Sequence, residues 1–134
     1  HITLEFIGNV PDTVQQQLIE LAGTIQSESF IIHLTHTGFW RKPSIVWIGI
    51  DKVPPSLYDL VVNIKTKVQQ LGLETDQRNY TPHVTIARKA KRLLKPENDF
   101  LIHWPVKNFA LVESVSTNMG VTYHVLKEWP LTPY

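Results

Sequence analysis

Two short segments of the chain combine residue types that can do acid–base chemistry on a phosphate. "HITL" begins at His1 and "HVTI" begins at His83, and both read H-φ-T-φ, where φ is aliphatic. Alternate side chains of a β-strand share one face, so each histidine is expected beside its threonine. His1 with Thr3, and His83 with Thr85, therefore form two matched imidazole–hydroxyl pairs.

Two such pairs suit an in-line displacement at phosphorus. A histidine titrates near neutral pH, so one imidazole can accept a proton from water while the other gives one to the departing oxygen. Threonine hydroxyls can donate to phosphate oxygens without adding charge. The attacking and departing oxygens lie on opposite sides of the phosphorus, so the two imidazoles must flank it. This chemistry does not require a metal, and none of the usual zinc-ligand spacings is present.

The remaining histidines lack this pattern. "HLTH" repeats H-x-T at His33 and Thr35, but His36 occupies the place of the aliphatic residue. We interpret His33 and Thr35 as part of the polar face of a strand, and His36, His103 and His124 as structural residues.

Hydrophobic periodicity predicts strands and helices in the order β-α-β-β-α-β-β-β. Gly38 is expected to end the second strand, Gly72 to cap the second helix, and "TNMG" to form the last turn. An H-φ-T-φ segment opens a strand in each half, which indicates an internal duplication of a mixed α+β unit. The strands are predicted at 2–8, 29–37, 44–51, 82–89, 104–116 and 121–131, and the helices within 9–26 and 55–72.

Composition excludes several classes of protein. The 134 residues suit one domain, and 43% hydrophobic residues suffice for an ordinary core. A net charge of +1 is too small for a nucleic-acid coat protein or a polybasic membrane binder. The chain has no cysteine, which excludes disulfides and thiolate metal sites, and we expect a cytoplasmic protein.

One local segment is strongly basic. "RKAKRLLK" follows the second motif directly and contains no acidic residue. It can be a solvated loop, or it can form a positive funnel beside an anionic substrate. Its cations are Arg88, Lys89, Lys91, Arg92 and Lys95.

With both motifs in place, the chain resembles the two-histidine phosphoesterase superfamily. It looks closest to the RNA 2′,3′-cyclic phosphodiesterases, historically named 2′-5′ RNA ligases. The similarity extends over nearly the whole chain, through "HITLEFIGNVP", "SIVWIGI", "YTPHVTIAR", "WPVKNFALVES" and "YHVLKEWPL".

The resemblance implies a fold. It is an α+β fold with two lobes, built from pseudo-symmetric, duplicated mixed α/β units whose antiparallel sheets surround a central cleft. Residues 1–134 would form one such two-lobed domain. Family members carry a strand and a helix before the first motif, so the domain is expected to be N-terminally incomplete.

The resemblance also implies an activity. It is hydrolysis of RNA 2′,3′-cyclic phosphate ends to 2′-phosphomonoesters, without metal or cofactor, and some members join or cleave 2′-5′ linkages in tRNA halves. His1 and His83 match the catalytic pair, and Thr3 and Thr85 match the hydroxyls that hold the phosphate. We expect His1 to protonate the leaving 3′ oxygen and His83 to activate water, although the two roles could be exchanged because the motifs are alike.

Two further residues match positions that bind substrate in the family. Arg88, five residues past His83, matches a basic residue near the phosphate, and a guanidinium suits bidentate phosphate contact. Phe6, five residues past His1, matches an aromatic that can stack on the terminal base. Strict alternation places Phe6 on the face opposite His1 unless a bulge intervenes, and a strand aromatic is more often part of a core.

Other functions stay open at this point. The substrate of the same fold could be an ADP-ribose cyclic phosphate or a 2′-5′ oligonucleotide. A non-catalytic module that binds RNA ends would still bind after His83→Ala, and a metallohydrolase would lose activity with a chelator. The expected partners are RNA 3′ ends or nucleotides with a 2′,3′-cyclic phosphate, tRNA halves included. We expect a monomer that does not bind membranes.

Overall fold

The computed structural model describes residues 1–92 and 99–133. Among these residues are two helices and six strands. The helices are α1 (Asp12–Ala22) and α2 (Pro55–Gln70). The strands are β1 (Phe30–Trp40), β2 (Ile45–Ile50), β3 (His83–Arg88), β4 (Ile102–Val106), β5 (Asn108–Thr117) and β6 (Gly120–Pro130).

The described strands form two antiparallel sheets. One sheet has four strands in the order β3-β2-β1-β4, and β5 and β6 form a separate hairpin. This arrangement confirms the α+β class with antiparallel sheets. Asn118 and Met119 make the two-residue turn of the hairpin, at the predicted "TNMG".

The main core lies between the four-stranded sheet and the helices. Phe30, Ile32 and Leu34 alternate along β1 and are buried, as expected for a strand with one covered face. They form one cluster with apolar residues of α2, with the base of the hairpin and with Leu131. The other face of the sheet carries histidine, tryptophan and isoleucine side chains, among them His36, Trp47 and Ile45.

Both predicted helices are confirmed. Pro11 directly precedes α1, and Pro54 precedes α2, whose first residue is Pro55. Proline has a φ suited to the start of a helix and lacks an N–H that would be unpaired there. Gly72 ends the second helix with a φ of +76°, which glycine adopts without steric cost. Neither helix of the described residues is long and apolar enough to cross a membrane.

The predicted strand at 2–8 is wrong. This segment makes a single antiparallel bridge, from Ile2 to Val84, and the chain then bends at Leu4. The Glu5 carboxylate instead accepts hydrogen bonds from Lys65 of α2 and from the Asp76 backbone. Partners distant in sequence therefore outweigh the local β propensity.

Gly38 does not end β1, which continues to Trp40. The glycine is needed for a different reason, because a Cβ at this position would fall inside the ring of Trp47 on β2. A glycine within a strand often marks such a close approach.

The predicted strand at 104–116 is two strands in two sheets. The chain leaves β4 at Val106 and enters β5 at Asn108. The Lys107 carbonyl between them accepts a hydrogen bond from Leu131 N–H. Pro105 fits within β4 because this strand is at the edge of the sheet, where a missing N–H can face away from the partner.

Candidate active site

The two H-φ-T-φ segments meet at the bridge between Ile2 and Val84. Both aliphatic side chains pack against the core. Extending an antiparallel register by one residue on each side of this single bridge sets His1 opposite Thr85 and Thr3 opposite His83. The four side chains therefore share the face away from the core. Diagonal Cβ atoms across such a pair are about 7 Å apart, so the two imidazoles can flank one phosphate.

Arg88 joins this face through a β-bulge. Thr85 pairs with Trp47 and Ala87 pairs with Val46, so Ile86 is an extra residue in β3. The bulge shifts the alternation by one residue, and Val46 is fully buried on the core side, so Ala87 follows it there. Arg88 consequently lies on the same face as His83, although it follows His83 by an odd number of positions, five.

His83 has a defined orientation. Its Nδ1 lies 2.9 Å from the Thr81 carbonyl oxygen. A carbonyl can only accept, so Nδ1 must carry the proton, and Nε2 is the nitrogen left for substrate. The His83 ring also makes a T-shaped contact with the Trp40 ring, with centroids 4.6 Å apart and planes at 76°.

Trp40 belongs to an aromatic layer on this face. Its ring lies 5.2 Å from that of Trp47 between centroids. The Trp47 indole covers Gly38 and Gly49, because a Cβ at either position would meet its ring atoms. Close packing of the indole on two glycines fixes Trp47, which supports Trp40 beside His83.

His1 is held through its neighbours. Its ring contacts Tyr123 of β6, with centroids 4.9 Å apart at 65°. The Tyr80 hydroxyl donates to the Thr3 carbonyl at 2.9 Å. Burial raises the pKa of Tyr80, so the donor keeps its proton over the whole neutral range.

A charged contact anchors the residues after the first motif. The Glu5 side chain is only 2% exposed, and its carboxylate lies 2.6 Å from Lys65 Nζ. Its other oxygen accepts from the Asp76 N–H at 2.8 Å. A hydrogen bond from the Arg78 guanidinium holds the pKa of the Asp76 carboxyl well below its usual range. Helix α2 and the loop after it thus fix the segment that carries His1.

Phe6 is exposed over 75% of its surface and is not a core residue. Within the parts of the chain that the structure describes, its ring makes no aromatic contact, which leaves it available for stacking. Its role in binding a base stays a prediction.

His33, His36 and His103 make contacts outside the two pairs. His33 is in register with His103 on β4, on the side of β1 away from β3, and their rings are 4.6 Å apart. Thr35 is the extra residue of a bulge in β1, and its hydroxyl lies 3.1 Å from His36 Nδ1. His36 also contacts Asp51 at 3.2 Å and the Trp47 ring.

Sequence reasoning missed the residues that support the histidines, namely Trp40, Tyr80 and Tyr123. Only Trp40 left a signal. Gly38 directly precedes "FW" (residues 39–40), and Gly49 comes two residues after "VW" (residues 46–47). A glycine inside a strand indicates that another group packs closely on the backbone there. Over residues 1–92 and 99–133, no group of three or more His, Cys, Asp and Glu side chains is placed to hold a metal ion.

Comparison with known proteins shows the family of the chain. Residues 1–117 match the 2′-5′ RNA ligase superfamily. An RNA 2′,3′-cyclic phosphodiesterase of Escherichia coli is 30% identical over 133 residues, which cover 98% of this chain and 76% of that protein. One from Aeropyrum pernix is 29% identical, with 96% and 80% covered.

A solved structure agrees as well. The crystal structure of E. coli LigT complexed with 3′-AMP matches with a TM-score of 0.90 at 29% identity. The match covers 98% of this chain and 76% of LigT. The structure of LigT complexed with phosphate matches with a TM-score of 0.82.

Proposed function

This chain belongs to the 2′-5′ RNA ligase superfamily, and we propose that it hydrolyses RNA 2′,3′-cyclic phosphate ends to 2′-phosphomonoesters. The observation that carries the proposal is the bridge between Ile2 and Val84. Extending the antiparallel register from this bridge supports the proposal, because that register sets two imidazole–hydroxyl pairs on one face, as in-line displacement requires. The related enzymes of E. coli and A. pernix carry the same activity in their names.

The proposed reaction needs one base and one acid. His83 accepts a proton from water through Nε2, and the water oxygen forms a bond to phosphorus. The bond from phosphorus to the 3′ oxygen breaks, and His1 protonates that oxygen. His83 suits the base because its hydrogen bond to Thr81 fixes the tautomer with a free lone pair on Nε2.

The remaining side chains stabilise the phosphate. Thr3 and Thr85 donate to its non-bridging oxygens, and the Arg88 guanidinium offsets the charge that develops on them. Alternation and the bulge in β3 support this assignment for Thr85 and Arg88. For Thr3 the support is the register extended from the bridge between Ile2 and Val84. Phe6 is proposed to stack on the terminal base.

The substrates of the proposed enzyme are RNA 3′ ends or nucleotides with the cyclic phosphate, tRNA halves among them. Joining of 2′-5′ ends at the same site follows when a 5′ hydroxyl takes the place of water. Its oxygen gives up its proton to the base and bonds to phosphorus, while the bond from phosphorus to the 3′ oxygen breaks and that oxygen is protonated. Cleavage of a 2′-5′ linkage is the reverse of this step. One chain supplies both histidines, which supports a single-domain enzyme that acts as a monomer. Cytoplasmic localisation stays a prediction.

The test is incubation of the protein with a short RNA ending in a 2′,3′-cyclic phosphate, with EDTA present. We expect a 2′-phosphate product at an undiminished rate. A 3′-phosphate product, or loss of activity with EDTA, would contradict the mechanism. RNA binding without any turnover would indicate a binding module instead, and His83→Ala serves as the control for contaminating hydrolases.

A further inference from the structure

Two histidines lie side by side on the face of the four-stranded sheet that points away from the core. His33 of β1 and His103 of the edge strand β4 are direct partners in the antiparallel register. His33 alternates with the buried residues Ile32 and Leu34, which sets its side chain on the outer face. Both histidines are exposed, and their ring centroids are 4.6 Å apart. The two imidazoles are therefore adjacent and open to solvent.

The ring nitrogens of this pair have no polar partner in the described part of the chain. Over residues 1–92 and 99–133, neither ring makes a hydrogen bond or an ion pair. By contrast, a backbone carbonyl accepts from Nδ1 of His83, and a carboxylate oxygen lies 3.2 Å from Nδ1 of His36. Neutral imidazole nitrogen is the commonest protein ligand of metal ions. His33 and His103 thus offer two such ligands at one point of the surface.

The spacing of the two rings is that of a chelate. A nitrogen that binds a metal at about 2.1 Å lies about 1.1 Å from the centroid of its ring, so the centroid is about 3.2 Å from the metal. Two rings with centroids 4.6 Å apart then subtend an angle of about 90° at a shared ion. A tetrahedral angle would require a separation of about 5.2 Å. Ligands at right angles are typical of square-planar and octahedral ions.

Rotation of the rings can aim the nitrogens without changing this spacing. The planes of His33 and His103 stand at 79°, in a T-shaped contact. Rotation about χ2 turns an imidazole around an axis that passes close to its centroid, and this torsion has broad minima. The strand register and χ1 therefore fix the distance between the centroids, whereas χ2 is free to direct one nitrogen of each ring toward a common ion.

The surroundings of the pair carry little charge. The next cross-strand pair on the same face is Ile31 with Pro105. The basic residues at 88–92 follow β3, at the opposite edge of the sheet, and Lys95 lies outside the described residues. Neighbouring strands are about 4.8 Å apart, so β3 is about 14 Å from β4. A cation bound between the two histidines is thus set apart from the basic segment.

We propose that His33 and His103 chelate one transition-metal ion that favours ligands at right angles, Ni²⁺ or Cu²⁺, with water completing the coordination. The ion joins the edge strand β4 to β1. It takes no part in the proposed hydrolysis, because β3 and His83 are two strands, about 10 Å, away from β1. The inference goes beyond the proposed function and does not depend on it.

The experiment titrates the protein with Ni²⁺ by calorimetry, and repeats the titration with Cu²⁺ and Zn²⁺. It compares the unaltered protein with His33→Gln and with His103→Gln, which keep a polar side chain and remove the imidazole. His124→Gln is the matched control. It removes an exposed strand histidine of β6 whose cross-strand partner is Glu113 rather than a second histidine.

We expect His33→Gln and His103→Gln each to raise the Kd for Ni²⁺ by at least about tenfold, since even the loss of a group that only supports a ligand costs that much. The control should bind like the unaltered protein, and the affinity should fall from Cu²⁺ to Ni²⁺ to Zn²⁺. Binding should disappear near pH 5, about 1.5 units below the ordinary imidazole pKa, because protonated rings cannot bind metal. Ni²⁺ should raise the Tm of the control but not that of either pair variant.

Absence of Ni²⁺ binding, an unchanged Kd in either pair variant, or a loss in His124→Gln equal to theirs would overturn the inference. NMR of the unaltered protein gives a test that needs no variant. Paramagnetic Ni²⁺ should broaden the imidazole signals of His33 and His103 first, and broadening confined to other histidines would contradict the site. Hydrolysis of cyclic-phosphate RNA is measured separately with EDTA, so its failure would overturn the proposed function and leave this result standing.

Discussion

The two H-φ-T-φ motifs have the same residue pattern but different structural support. The motif at His83 lies in β3, is paired along its length with β2, and has its imidazole fixed by Thr81 and Trp40. The motif at His1 has one backbone bridge and is anchored by Tyr80 and Glu5, beyond the reacting side chains. A repeated tetrapeptide therefore specifies the chemistry twice, while the surrounding fold gives each copy its own position and rigidity.

This difference bears on the roles of the two histidines. A general base must present a lone pair in a fixed direction, and the hydrogen bond to Thr81 provides that for His83. The edge contact with Tyr123 restrains the His1 ring, but it is a ring contact and does not fix which ring nitrogen of His1 carries the proton. Two identical sequence motifs can therefore supply different catalytic groups, a general base at His83 and a general acid at His1.

Removing either imidazole should have the largest effect. We expect His83→Ala and His1→Ala each to lower kcat by about 10²–10⁴, the usual contribution of a positioned acid or base. The double variant should be little worse than the worse single variant, because the two groups act in one step. Single-turnover rates on a cyclic-phosphate RNA measure this, with His124→Ala as control. If the two losses multiplied, the histidines would not belong to one site.

Loosening His83 should have the next largest effect. Trp40→Ala removes the ring beside His83, and we expect kcat to fall about 10- to 100-fold with a smaller change in KM, because misplaced catalytic groups cost rate. Trp40→Phe, which keeps an aromatic ring at this position, should recover part of the lost kcat. Tyr123→Leu is the counterpart at His1 and should cost less. Equal losses at both positions would remove the asymmetry between the motifs.

The anchor of the first motif can be weakened at Glu5. Glu5→Gln keeps the shape and loses the charged contact with Lys65, so we expect the free energy of unfolding to fall by about 2 kcal/mol. Activity per folded molecule should fall a few-fold through His1. Denaturant unfolding and kcat/KM report the two effects. Glu20→Gln on an exposed position of α1 should change neither, and an unchanged stability of Glu5→Gln would refute the anchor.

Tyr80 offers a smaller and pH-dependent effect. Tyr80→Phe removes the hydrogen bond to Thr3 and should lower the free energy of unfolding by about 1 kcal/mol at neutral pH. Burial raises the pKa of Tyr80 in the folded state, whereas an unfolded tyrosine ionises near pH 10. Stability from this group is therefore fully present below about pH 10 and lost as the pH rises further.

Denaturant unfolding between pH 8 and 11.5 checks this prediction. The unaltered protein should lose stability above pH 10 more steeply than Tyr80→Phe. Tyr58→Phe, which alters the exposed neighbour of Tyr80, is the control and should retain the steep loss. Parallel curves for Tyr80→Phe and the unaltered protein would contradict the role of burial.

Much of this arrangement could be predicted from the sequence, because period-2 alternation decides which side chains share a face. That rule placed each histidine with its own threonine. It could not place Arg88, whose face depends on the bulge at Ile86. It also assigned a strand to residues 2–8, where Lys65 and Asp76 bend the chain through Glu5. Gly38 looked like a strand end because the Trp47 ring that needs the space comes from another strand. Long-range contacts decided each case.

The most direct test of the central claim is the dependence of kcat/KM on pH for the unaltered protein and for the two single histidine variants. One imidazole must be neutral and the other protonated, so the unaltered protein should give a bell-shaped profile. His83→Ala should lose the acidic limb, where the base is protonated, and His1→Ala should lose the alkaline limb. A single sigmoid that persists in both variants would contradict the pairing of the two motifs in one active site.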